Sequence, residues 1–90
     1  MNFIVTYDDR SINLTNISEV ELYQYPGPLV SVRIHKIHYT CSDSQFIEFK
    51  EYFGSSHLSK TREEATSHIS ELRDSILSEW NTALILMNRK

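Results

Sequence analysis

The 90-residue chain holds one cysteine, two glycines and two prolines, and it has no long apolar run. Each scarcity excludes something. A lone cysteine cannot close an internal disulfide and suits a reducing compartment. Two glycines cannot supply the phosphate-cradling loops of P-loop or dinucleotide-binding proteins, and the scattered serines form no Gly-x-Ser-x-Gly elbow. No stretch approaches the roughly 20 apolar residues of a membrane span. Near the N-terminus, Phe3–Ile4–Val5 gives way at once to Asp8 and Asp9, unlike the apolar core of about 7–15 residues in a signal peptide. The expected location is cytoplasmic, with no membrane partner.

A concentration of basic charge is missing as well. Nine basic and twelve acidic residues give a net charge of −3. Residues 1–28 carry Asp8, Asp9, Glu19 and Glu21 against Arg10, a balance of −3; residues 29–60 carry four basic and three acidic residues (+1), and residues 61–90 four and five (−1). No segment shows the clustered Lys/Arg stripe that phosphate-backbone binding uses. Nucleic-acid regulation, through Arg33, Lys36 and Lys50 with nearby aromatics, is therefore a secondary reading.

What is present is ordinary globular composition, with 40% hydrophobic and 23% charged residues, in a length that fits one domain over residues 1–90. Three of the four Gly and Pro residues fall together in Pro26–Gly27–Pro28, the strongest turn signal in the chain. Gly54–Ser55–Ser56 is a second break. Before the first break, and again after it, the apolar residues alternate. Phe3, Val5 and Tyr7 precede an Asp8–Ser11 turn, and Ile12 and Leu14 follow it as a hairpin partner. In the segment from Glu19 to Tyr25, Val20 and Leu22 share one face, while Glu19, Glu21, Tyr23 and Tyr25 share the other. Val30, Val32 and Ile34 continue the pattern, but Ile37 and Tyr39 fall on the opposite parity, which predicts a β-bulge near His35–Lys36. Residues 45–53 fit either a strand or a capped helix; their aromatic content favours a strand.

The final third has helical periodicity. Thr61 and Glu64 stand in capping-box spacing. Ala65, Ile69, Leu72, Ile76, Trp80, Ala83 and Met87 then lie within about 80° of one another at 100° per residue. A continuous helix to Asn88 would be roughly 40 Å long, beyond the roughly 25–30 Å diameter of a domain this size. The expectation is a helix from about 62 to 80, with residues 82–88 either continuing it or forming a strand. The predicted architecture is α+β: a mostly antiparallel sheet of four to five short strands packed against one long C-terminal α-helix.

Candidate chemistry is sparse. His35, His38 and Cys41 recur at three-residue intervals, which gathers ligands on a helix but scatters them along a strand. A zinc site needs all its ligand atoms about 2.0–2.3 Å from the metal. His57 and His68 add no paired-ligand motif, so neither a metal nor a cofactor is expected. Cys41 with a histidine is the minimum for a small thiol or hydrolytic enzyme, but no catalytic constellation is assembled around it. Glu63 and Glu64 sit where acids offset a helix dipole. The face carrying Glu19, Glu21, Tyr23 and Tyr25 is the stronger feature, because tyrosine is enriched at protein interfaces. The stripe of Ile76, Trp80, Ala83 and Met87 is a second candidate, for self-association as a homodimer. The expected function is a small non-catalytic protein-binding module, such as a regulator, inhibitor or immunity-type protein that occupies a partner's surface.

Overall fold

A computed structural model describes residues 3–54 and 61–88. In chain order it contains β1 (Ile4–Tyr7), β2 (Arg10–Asn13), a 3-10 turn (Leu14–Asn16), β3 (Ile17–Gln24), β4 (Leu29–Lys36), β5 (Phe46–Tyr52) and α1 (Arg62–Met87). All strand pairings are antiparallel. The α+β arrangement read from the sequence is the one observed, with the strands divided between a two-stranded sheet, β1–β2, and a three-stranded sheet, β3–β4–β5. The division follows from the 3-10 turn after β2. Asn13 caps it by accepting from the Thr15 N–H at 3.0 Å, and the turned chain enters β3 without pairing it to β2.

The hairpin β1–β2 closes through Asp8 and Asp9, both at positive φ, 49° and 63°. A two-residue hairpin loop of this kind needs a left-handed backbone at both positions, where aspartate is tolerated and glycine preferred. Asp9→Gly should therefore raise stability by about 0.5–1 kcal/mol; a urea titration followed by Trp80 fluorescence measures it, and a lowered midpoint would contradict the turn assignment. Gly54, also at positive φ (71°), follows β5, while Ser55, Ser56 and His57 lie outside the described residues.

The core forms where α1 crosses the three-stranded sheet. Ala65, Ile69, Ile76 and Ala83 of the helix are buried against Val30, Val32, Ile34 and Phe49, and Ile12, Leu14 and Ile17 close one end. The helix begins at the expected capping box, with reciprocal Thr61 and Glu64 hydrogen bonds. It does not stop near Trp80. No Gly or Pro occurs between Arg62 and Met87, so nothing local breaks the helix, and its 26 residues run for about 39 Å at 1.5 Å per residue. Its last turns leave Leu84, Ile85, Leu86 and Met87 exposed, Ile85 at 59%. No helix among the described residues is long and apolar enough to cross a membrane.

The phase change after Ile34 is not a bulge in β4, whose register against β5 is unbroken from Leu29 to His35. The strand simply ends at Lys36. Beyond it, Ile37 N–H donates to Asn16 C=O at 2.9 Å, and the Asn16 side chain exchanges two bonds with the His38 backbone at 2.7 and 2.8 Å. Those bonds draw the chain off the sheet. The register shift lies instead in β3, between Ile17 and Glu19.

Candidate functional site: the open face of the three-stranded sheet

Alternation along each strand divides the three-stranded sheet into two faces. Val20, Leu22, Val30, Val32, Ile34, Ile47 and Phe49 take the helix side. Register places Glu21 opposite Arg33, Arg33 opposite Glu48, Tyr23 opposite Ser31, and Ser31 opposite Lys50, all with the other parity. No described element packs over this second face. Leu22 stands on the helix side yet remains 39% exposed, because β3 is an edge strand and a single helix spans about two strands of a sheet.

Arg33 is the hub of the open face. Its Nε donates to Glu48 Oε2 at 3.0 Å and its Nη2 to the Tyr25 hydroxyl at 2.9 Å. The Tyr25 hydroxyl in turn donates to Glu48 Oε2, which also accepts from the fully buried Ser31 Oγ at 2.7 Å. The guanidinium lies 3.8 Å from the Tyr23 ring centroid and 4.8 Å from that of Phe46. Tyr23 meets Tyr25 edge-on at 4.7 Å. At the far side, His35 Nε2 donates to Glu21 Oε1 at 3.2 Å and its ring packs 5.3 Å from Phe46. Because a carboxylate can only accept, this contact assigns the proton to Nε2.

Arg33 and Glu48 are 20% and 12% exposed at their side chains, so their pairing is only partly solvated. Burial alone would push the Glu48 carboxyl up. Its hydrogen bonds from Tyr25, Ser31 and Arg33, with the Arg33 charge, outweigh that and hold it below the ordinary glutamate range. The bonds to Tyr25 and Glu48 raise the Arg33 pKa further above its already high value. These groups lock one another's rotamers, leaving the Tyr23 hydroxyl and Arg33 Nη1 without a hydrogen-bond partner among the described residues. The face is thus rigid, aromatic and nearly neutral, with Glu19 and Glu21 at the β3 margin and Lys50 at the β5 margin.

No family model, curated protein or solved structure matches this chain.

The four residues singled out from the sequence therefore share the face opposite the helix. Tyr23 and Tyr25 reach from the β3 edge to Arg33 of the central strand, Glu21 holds His35, and Glu19 is exposed at the edge. Strand alternation alone could not reveal Ser31, Arg33, Phe46, Glu48 and Lys50 as their partners, although each has the parity opposite to its buried neighbours. Of the self-association stripe, Ile76 and Ala83 are buried inside the chain, Trp80 is half-buried and Met87 is exposed. Of the three cations considered for nucleic acid, Arg33 is tied to Glu48, Lys36 is half-buried and Lys50 is exposed. Cys41 is a free, exposed thiol in the turn beyond His38. Among the described residues no group of three or more His, Cys, Asp or Glu side chains converges to hold a metal ion.

Proposed function

We propose that this chain is a non-catalytic protein-binding module that occupies a partner's surface with the open face of its three-stranded sheet. The single observation that carries the reading is the Tyr23–Arg33–Phe46 stack, anchored by Glu48 on a face that no other described element covers. Tyrosine and arginine dominate the energetic centres of protein interfaces. A side chain already held in one rotamer loses little further entropy on binding. The free Tyr23 hydroxyl and Arg33 Nη1 supply unspent donors for a partner's carbonyl or carboxylate groups. A single unpaired cysteine fits a reducing compartment, and we place the module in the cytoplasm.

Affinity capture from cells of the source, read by mass spectrometry, tests the proposal. Immobilised wild-type protein should retain a partner that the Tyr23→Ala/Tyr25→Ala double variant does not, while Glu71→Ala on the exposed helix surface retains it. Capture undiminished by the double variant would overturn the assignment of this face.

A further inference from the structure

A second locus lies between the two sheets, where two strand edges stand unpaired. Lys36 N–H donates to Gln45 C=O at 2.9 Å and Phe53 N–H to Pro28 C=O at 3.0 Å. With the β4–β5 register, these bonds turn the backbone groups of Phe46, Glu48 and Lys50 away from β4. Likewise, Leu14 N–H donates to Phe3 C=O at 2.7 Å, so Ser11 and Asn13 of β2 turn theirs away from β1. Both edges border one cavity of about 580 Å³, with Arg10 and Ser11 on the β2 side, Phe46, Glu48 and Lys50 on the β5 side, and Lys36 at its end. A smaller cavity of about 210 Å³, sharing Ser11 and Lys36, prolongs it past Asn13. No backbone hydrogen bond joins β2 to β5 among the described residues. A side chain does so instead: Arg10 Nη1 donates to the outward Glu48 C=O.

The slot is also where positive charge collects in a chain of net charge −3. Arg10, Lys36 and Lys50 border it against two carboxylates: Glu48, whose Oε2 is already satisfied, and Asp43, which lines the smaller cavity. Lys50 approaches Glu48 Oε1 only to 3.8 Å, and Lys36 has no ion pair among the described residues. A phosphate group could answer the cations, but the outward carbonyl oxygens of both edges would repel it. An extended peptide answers both, because its backbone offers donors and acceptors at strand spacing while its side chains bring the charge.

We propose that this slot binds an extended acidic segment of a partner protein, which adds as a strand to the β5 edge and bridges towards β2. The proposal rests on the protein-binding reading but not on the tyrosine face. Arg10 caps the β5 edge in the free protein, as edge strands are commonly protected. On binding, its guanidinium leaves the Glu48 carbonyl for a carboxylate of the incoming segment, and Lys36 and Lys50 take others. Side chains of alternate parity on that segment would cover Phe46 on one face and Ile47 on the other.

Fluorescence anisotropy at low salt tests this with a labelled ten-residue peptide of alternating Glu and Val. Wild-type protein should bind it, and either Lys36→Glu/Lys50→Glu or the milder Lys36→Ala/Lys50→Ala pair should weaken binding at least tenfold, with circular dichroism unchanged. A copy of the peptide N-methylated at alternate residues keeps the charge and loses the strand hydrogen bonds, and it should bind at least tenfold more weakly. Equal binding of the methylated peptide, displacement by a single-stranded oligonucleotide at matched charge, or no binding at all would overturn the proposal. Absence of peptide binding in a protein that still captures its partner through Tyr23 overturns the slot alone. Peptide binding that survives a failure of capture overturns the open-face assignment alone.

Discussion

Glu48→Gln is expected to lower the stability of the protein by about 1.5–3 kcal/mol at pH 7, the range for hydrogen bonds to a charged group. Glutamine has nearly the same shape, so the loss comes from chemistry. The amide carries no charge for Arg33, and Tyr25, Ser31 and Arg33 all donate to the one oxygen Oε2, where a neutral carbonyl accepts them more weakly than a carboxylate does. A domain of this length has about 5–13 kcal/mol to lose, so one substitution removes a sizeable share. The effect depends on pH. The Glu48 carboxyl titrates lower in the folded protein than in the unfolded chain, so the unfolded state binds more protons across the interval between those two values. The carboxylate's contribution is complete above the ordinary glutamate value of about 4.3 and is lost as pH falls through the lowered folded value. The stability gap between wild type and Glu48→Gln should accordingly be wide at neutral pH and narrow in acid. Urea titrations at a series of pH values measure it, and a gap independent of pH would show that Glu48 acts by packing alone.

Arg33→Lys is expected to weaken partner binding about 30-fold or more, the scale of a central interface residue, although the charge is retained. Lysine offers a point charge on a flexible stem. It cannot lie flat between Tyr23 and Phe46, and it cannot bond Glu48 and Tyr25 at once from a planar fork. If the open face worked through net charge, Arg33→Lys would behave as wild type and binding would fall steeply with added salt. If it works as a preformed stack, Arg33→Lys and Arg33→Ala should be impaired to a similar degree, with little salt dependence. Calorimetry with the captured partner separates these outcomes, provided the urea midpoint of each variant shows that it is folded.

Strand parity and helical periodicity carry much of this architecture. The alternation of acids and tyrosines against Val20 and Leu22 already fixes the face on which Glu19, Glu21, Tyr23 and Tyr25 stand, because neighbouring side chains must point to opposite sides. Parity does not fix register. That Arg33 meets Glu48, fifteen residues away, depends on the β4–β5 pairing, so the centre of the site was invisible even though both residues showed the right parity. The slip after Ile34 is ambiguous in sequence for a related reason. A bulge and a strand end produce the same local pattern, and only the distant Asn16 side chain decides between them. Periodicity leaves residues 82–88 open between helix and strand, and the helix continues through them because the residues from Asn81 to Met87 contain no local stop signal. Leu22 shares the face of Val20 by parity, yet it is exposed by its place at the sheet edge, which only topology sets.

The central claim is that the partner sits on the open sheet face. Amide chemical-shift mapping of the ¹⁵N-labelled protein with its captured partner tests it most directly. The account predicts that perturbations cluster on β3, β4 and β5 around Tyr23, Arg33, Phe46 and Glu48, and spare the outer helix surface at Glu71 and Ser78. Perturbations confined to α1, with those strand amides unmoved, would contradict it.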